Sequence, residues 1–169
     1  MSRTLQVQFD SSLQWNWQDT GADGSVLRDN LQPANAGEWA DGSGASQANL
    51  LWHDQRTLTA SSSETLDLTA LTRTIFNSVN TVNLGHVKGI YIENLNEVSG
   101  DDLTVGKAAS AQFAGPLSAG TVTQIVKAGG ILYWPDAYGT GWATSGANNL
   151  KIANGSGHTI NYRIVIWGN

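Results

Sequence analysis

Residues 160–167 read Ile-Asn-Tyr-Arg-Ile-Val-Ile-Trp, and this stretch decides the fold. A large apolar residue occupies every second position, at Ile160, Tyr162, Ile164 and Ile166. A period of two is the pattern of a β-strand that turns one face to a core. The intervening residues, Arg163, Val165 and Trp167, face the other way. The stretch therefore predicts a sheet in which this strand covers an apolar interior.

Similar short runs recur along the chain, for example at 5–9, 87–94 and 131–134. Turn residues separate them, which gives about ten strands at spacings of roughly 8–14 residues. We predict an all-β fold, an antiparallel β-sandwich that is jelly-roll-like, with long loops and at most one short helix. The helix candidate is 69–78, although its threonines weaken it.

The 169 residues fit a single sandwich domain, 1–169. We expect a possible N-terminal arm over 1–10. The longest loop is predicted at 32–47, where Pro, Ala, Asn, Gly and Ser surround Trp39. The Trp39 indole is expected to be buried, either by the domain itself or by a neighbouring molecule.

Composition narrows the function classes. The chain has no cysteine, a net charge of −5 and nine scattered basic residues. Thiol chemistry is excluded, and nucleic-acid binding is not expected because there is no basic patch. We also expect no membrane span and no secretory signal, and hence synthesis in a cytoplasm.

The sharpest catalytic-looking motif is Asp19-Thr20-Gly21-Ala22-Asp23, which resembles the active-site turn of retroviral-type aspartic proteases. A tight Asp-Gly turn explains the same residues, and we favour the turn. The acidic spacing here is also wrong for an EF-hand calcium loop.

Other titratable residues lack a recognisable pattern. His53, His86 and His158 share no metal-ligand spacing. Glycosidic chemistry would need a carboxylate pair, for which Glu93, Glu97, Asp101 and Asp102 are the candidates. We predict a protein that is not an enzyme, with no catalytic residue, no metal and no cofactor.

Four aromatic residues bracket a Pro-Asp-Ala turn and form a candidate aromatic surface: Tyr133, Trp134, Tyr138 and Trp142. Rings at strand ends most often close a sandwich core. A protein–protein contact and stacking on sugar faces are the alternatives.

An ordered series of segments in the second half resembles small β-rich structural proteins of tailed bacteriophages. It runs through VKGIYIEN (87–94), LTVG (103–106), GPL (115–117), VKAGG (126–130), GWATSG (141–146), LKI (150–152) and YRIVI (162–166). The resemblance covers 87–168 and transfers no catalytic residue. It implies a virion component, and a jelly-roll cement protein on a capsid shell is the type expected.

From this resemblance we expect a capsid decoration protein that binds and stabilises the assembled shell, on the virion surface. Its partners would be the major capsid protein and sister subunits, as a homotrimer. The candidate interface residues are Leu5, Val7, Phe9 and Trp39. The alternative is a tail-fibre or host-attachment module that binds cell-surface glycan.

Overall fold

A computed structural model describes residues 4–12, 15–20, 26–31, 34–75, 77–117 and 122–169. These residues form fifteen strands and one 3-10 turn, Gly115–Leu117. The strands are β1 Val7–Ser12, β2 Trp15–Thr20, β3 Val26–Leu31, β4 Ala34–Trp39, β5 Leu50–Leu58, β6 Ser63–Asp67, β7 Leu71–Ile75, β8 Ser78–Val82, β9 His86–Asn94, β10 Leu103–Gly106, β11 Thr123–Val126, β12 Ile131–Pro135, β13 Trp142–Ala143, β14 Asn149–Asn154 and β15 Ile160–Gly168.

Two antiparallel sheets form the body. One has the order β12-β9-β15-β5, with the short β13 also paired to β9, and the other has the order β11-β10-β14-β6. Four pairs of consecutive strands cross from one sheet to the other: β5 and β6, β9 and β10, β11 and β12, β14 and β15, whereas β10 and β11 pair within one sheet. This is the strand order of a jelly roll. The predicted all-β sandwich is confirmed.

The core lies between the two sheets and follows the predicted alternation. From β15, Ile160, Tyr162, Ile164 and Ile166 are all fully buried. The facing sheet contributes Leu103, Val105, Leu150 and Ile152, which are also fully buried. Each such side chain adds roughly 1.5–3 kcal/mol of transfer free energy on burial. The period of two therefore identified the core face of the last strand correctly.

The outer face of β15 is covered as well. Trp167, on that face, is only 3 % exposed. It packs against Trp39 of β4, which with β1 forms a two-stranded sheet whose register pairs Val7 with Trp39 and Phe9 with Gly37. We call this pair of strands the basal hairpin.

Between β1 and β4 in the chain, β2 and β3 pair antiparallel as a separate two-stranded sheet, which we call the distal hairpin.

The predicted arm, 1–10, contributes its last four residues to β1, while 1–3 lie outside the described residues. The predicted loop, 32–47, is wrong over Ala34–Trp39, which is strand β4. Pairing with β1 overrides the low strand propensity of Ala, Asn and Gly, which had indicated a loop.

The helix candidate at 69–78 is also wrong. Leu71–Ile75 is strand β7, paired with β8, and Phe76 lies outside the described residues. The alternating threonines that weaken a helix suit a strand. Two hydrogen bonds join β7 to β5: Trp52 Nε1 donates to the Thr72 carbonyl at 2.9 Å, and Arg73 Nη1 donates to the Leu51 carbonyl at 2.7 Å.

Gly89 is the residue that lets an indole lie flat on the larger sheet. A Cβ atom at this position would come within 2.0 Å of Trp167 Cζ2. We expect Gly89→Ala to lower the free energy of unfolding by about 2 kcal/mol, because either the ring or the strand must shift. Urea unfolding followed by tryptophan fluorescence measures the change.

Gly155→Ala is the matched control for this prediction, because a Cβ at Gly155 meets nothing within 4 Å. It should change stability by less than about 0.5 kcal/mol. Equal effects of the two substitutions would contradict the packing argument.

Candidate functional site

The basal hairpin is fixed to the larger sheet by four aromatic side chains, which we call the hairpin anchor: Phe9, Trp39, Tyr133 and Trp167. Phe9 and Tyr133 stack with ring centroids 3.6 Å apart, and Trp39 meets Trp167 edge-on at 5.0 Å. Trp39 Nε1 donates a hydrogen bond to the Asp136 carbonyl at 3.1 Å. Burial in this cluster raises the pKa of Tyr133 to about 12. The anchor joins four separate strands of the chain, β1, β4, β12 and β15.

The candidate interface residues therefore serve a contact within the chain. Trp39 is fully buried, and Leu5, Val7 and Phe9 pack partly buried around it and Trp167. The prediction that Trp39 is offered to another molecule is wrong. Its cover comes from the protein's own sheet, because the apolar outer face of β15 needs burial as much as the indole does.

The candidate aromatic surface is not one surface. Tyr133 belongs to the hairpin anchor, while Trp134 and Trp142 pack partly buried against the sandwich core. Tyr133 and Trp134 are neighbours on β12, and successive side chains of a strand point to opposite faces. Of the four residues only Tyr138 is exposed, at 87 %.

Tyr138 stands over a shallow cleft of about 270 Å³ between the basal hairpin and the loop after β12. Phe9, Gly37, Tyr133 and Pro135 line it. The Asp136 carboxylate shapes the loop by accepting hydrogen bonds from the backbone N–H groups of Gly139 and Gly141, both at 2.8 Å. The Asp136 carboxylate thus stabilises the turn that carries the exposed ring of Tyr138.

A buried lysine ties this loop to the segment after β4. Lys88 is fully buried, and its Nζ donates to the carbonyls of Gly44 at 3.0 Å and Gly139 at 2.9 Å. Burial lowers the pKa of Lys88, and the nearby Asp136 carboxylate opposes that shift. Two carbonyl acceptors keep the ammonium group hydrogen-bonded despite its burial.

A β-bulge sets the direction of Lys88. In the β15–β9 ladder Trp167 pairs with Gly89 and Gly168 with Val87, so the register passes over Lys88. Bulges re-aim side chains in this way. The sequence analysis did not identify Lys88 as a buried residue. Strict alternation places it on the same face as Ile90 and Ile92, so a charged residue at a core-facing position was the signal that could have identified it.

Three of the four candidate carboxylates, Glu93, Asp101 and Asp102, are used in separate contacts, and Glu97 is exposed. Arg163 Nη1 contacts Glu93 Oε2 at 2.7 Å, and Lys127 Nζ contacts Asp102 Oδ2 at 2.6 Å. Glu93 and Asp102 are thus each held by a different cation.

Asp101 is buried and accepts hydrogen bonds from Asn96 Nδ2 at 3.0 Å and from His158 Nδ1 at 2.9 Å. These two contacts, that from Asn96 first, lower the pKa of Asp101. The Ser156 hydroxyl contacts Asn154 Oδ1 and the His158 carbonyl. The Ser156 hydroxyl is thereby used within a turn. Asp101, Asn96 and His158 together connect the loop after β9 to the loop before β15.

A further polar network lies at the edge where β5 passes to β6. The Tyr162 hydroxyl donates to Glu64 Oε1 at 2.6 Å, and the Arg56 guanidinium bridges Glu64 and Asp54. Burial, followed by the contact with Glu64, raises the pKa of Tyr162. This network closes one edge of the core.

The Asp-Thr-Gly-Ala-Asp motif falls largely outside the described residues. Residues 21–25 of the Asp-Thr-Gly-Ala-Asp motif lie outside them, and only Asp19 and Thr20 are described, at the end of β2. Within the described ranges, no group of three or more His, Asp or Glu side chains could hold a metal ion.

No helix of the described chain is long and apolar enough to cross a membrane.

No family model and no curated protein matches the chain. One similar solved structure is an ethanolamine utilization protein Q from Salmonella typhimurium LT2, at 12 % identity and a TM-score of 0.33, covering 93 % of this chain and 97 % of that one. At that similarity its name assigns no activity to this chain.

The comparison corrects the predicted function. The neighbour is described as an ethanolamine utilization protein and not as a virion component. The capsid decoration role and the tail-fibre alternative are therefore withdrawn. A jelly roll supports many unrelated functions, which is why the fold could be right while the function drawn from a resemblance was not.

We expect Trp39→Ala to destabilise the protein by about 4 kcal/mol, because it removes the largest side chain of the hairpin anchor and leaves a cavity. Thermal and urea unfolding measure this loss. Tyr138→Ala, at a neighbouring but exposed ring, should stay within about 0.5 kcal/mol of the parent. Similar stabilities of the two variants would show that the anchor does not hold the fold.

Proposed function

We propose that the chain is a non-enzymatic protein-association module that works as a homo-oligomer and contacts a sister subunit through the distal hairpin. The observation that carries this proposal is the separate ladder of β2 and β3, which in the described residues pairs with no other strand. A lone two-stranded ladder is marginally stable in water. It therefore needs cover that a second chain can supply.

The register of this ladder supports a contact face that contains large apolar residues. Trp15 stands opposite Leu31, Trp17 opposite Asp29, and Asp19 opposite Leu27. Directly opposite positions, and every second position along a strand, share one face of an antiparallel pair. By this register the positions of two tryptophans and two leucines share one face with those of two aspartates, and tryptophan is among the residues that most often dominate binding energy.

The basal hairpin, whose strands flank the distal hairpin in the chain, is firmly held. Its strands are fixed to the sandwich through Trp39 and Phe9. Preorganisation of this kind lowers the entropy lost on binding. Closed symmetry is the rule for homo-oligomers, and we propose three copies.

Non-catalytic action agrees with how the described acidic groups are used. Glu64, Glu93, Asp101 and Asp102 each pair with a cation or a hydrogen-bond donor in a different part of the sandwich. Groups already committed to separate loops are poorly arranged to act together on one bond.

The test shortens the hairpin without touching its base. Ser12 stands opposite Ala34, so the dipeptide Asn-Gly in place of residues 13–33 can close β1 onto β4 as a two-residue turn. We expect the shortened protein to lose the contacts between sister subunits and to contain fewer copies per particle, as measured by size-exclusion chromatography with light scattering. An unchanged number of copies, or a wild-type protein that is monomeric at about 100 µM, overturns the proposal, because an association of micromolar affinity, about 8 kcal/mol, would already assemble at that concentration.

Two double substitutions test which face of the distal hairpin makes the contact. Trp15→Thr with Trp17→Thr keeps strand propensity and removes the two indoles, so the mass should fall as it does in the shortened protein. Asn16→Thr with Asn30→Thr changes a directly opposed pair on the other face and should keep the wild-type mass. Equal effects of both pairs would contradict the assignment of the contact face.

A further inference from the structure

The exposed ring of Tyr138 borders two adjoining clefts between the basal hairpin and the loop after β12. The first cleft, of about 270 Å³, has the side chains of Phe9, Tyr133 and Pro135 in its wall. The second, of about 300 Å³, is lined by polar groups that include Glu38. The two clefts share three of their lining residues, so they form one continuous shallow groove, which we call the Tyr138 groove.

The Tyr138 ring is free, yet the loop that carries it is held in place. Tyr138 is 87 % exposed. The Asp136 carboxylate accepts hydrogen bonds from two backbone N–H groups of the loop, and Lys88 donates to the Gly139 carbonyl. A large ring on a fixed loop is suited to anchor a partner, because covering it gains apolar contact and costs little ordering entropy.

A hydroxyl group in the first cleft is available to a ligand. Among the described residues the Tyr133 hydroxyl donates no hydrogen bond, although Tyr133 lines this cleft. Burial raises the pKa of Tyr133 to about 12, so the phenol is protonated at neutral pH and remains a donor. Its oxygen lies 3.6 Å from the place that a Cβ atom would take at Gly37, where glycine has no side chain to cover it.

The surface around the second cleft is acidic. The basal hairpin and the loop after it carry three exposed carboxylates, Asp10, Glu38 and Asp41, and no Lys or Arg. No ion pair of the described residues involves any of the three. Glu38, in the wall of the cleft, accepts a hydrogen bond at 2.8 Å from the neutral Gln6 amide, which leaves its charge in place. This end of the groove is complementary to a cationic group.

We propose that the Tyr138 groove binds a proline-rich segment of a partner protein, with prolines in the first cleft and an Arg or Lys side chain beside Glu38. A polyproline II segment has no internal hydrogen bonds, so its carbonyl groups are free to accept from the Tyr133 hydroxyl, whereas those inside a helix are not. Such segments dock in aromatic-lined grooves because they are already extended before binding. No described lining residue belongs to the distal hairpin, so this site goes beyond the function proposed above and does not depend on it.

Fluorescence anisotropy tests the site with a labelled synthetic peptide, Arg-Pro-Pro-Leu-Pro-Pro-Arg, which presents a cation at either end. Wild-type protein should bind it with a Kd below about 1 mM, and Tyr138→Ala should weaken binding at least about tenfold, because it removes the exposed ring. Val98→Ala is the control, since Val98 is 57 % exposed but lies on the loop at the other end of β9. It should keep the wild-type affinity.

Charge exchange tests the position of the cation. Glu38→Lys should weaken binding of this peptide about tenfold, and it should bind a peptide with glutamate in place of both arginines more tightly than wild-type protein does. Glu97→Lys makes the same change of net charge at an exposed residue beside Val98. It should leave both affinities within about twofold of wild type, because salt screens charges that are far apart.

A third peptide, with alanine in place of each proline, keeps the charges and loses the polyproline conformation, so it should bind at least about tenfold more weakly. The proposal is overturned if wild-type protein at about 1 mM leaves the proline peptide unbound, or if the proline and alanine peptides bind equally. Equal affinities of Tyr138→Ala and Val98→Ala, or of Glu38→Lys and Glu97→Lys, overturn it as well.

Discussion

The contact between Trp39 and Trp167 organises one whole side of the molecule. Trp167 lies on the outer face of the larger sheet, where a lone sandwich would meet water, and Trp39 covers it. The indoles fit because Gly89 leaves room beneath Trp167. Removing two large rings from water accounts for several kcal/mol. The position of the basal hairpin follows from this contact.

The same contact explains the polar arrangement around it. Trp39 donates to the Asp136 carbonyl, and the Asp136 carboxylate in turn braces Gly139 and Gly141. Lys88, passed over by the register at the bulge, reaches the carbonyls of Gly44 and Gly139. A buried ammonium group is tolerated only where acceptors are fixed in place. The packing of the aromatic rings fixes the positions of these carbonyl groups, and Lys88 links the two loops that carry them.

The proposed association follows from what this body leaves uncovered. Its interior is filled, and Glu64, Glu93, Asp101 and Asp102 are each paired locally. Among the described strands, β2 and β3 pair only with each other. Backbone groups and apolar faces that one chain cannot satisfy by itself can be satisfied by another chain.

Local pattern alone predicted most of the strands of the sandwich and the core face of the last strand, because a period of two depends only on neighbouring residues. It gave the burial of Ile160, Tyr162, Ile164 and Ile166, and the sandwich itself. Only the tertiary structure decided the fate of Trp39, of Lys88 and of Ala34–Trp39. Their environment comes from segments 22 to 128 residues away, from Ser12 opposite Ala34 to Trp167 against Trp39, through a strand partner, a bulge and a covering hairpin, and no short window of sequence contains those contacts.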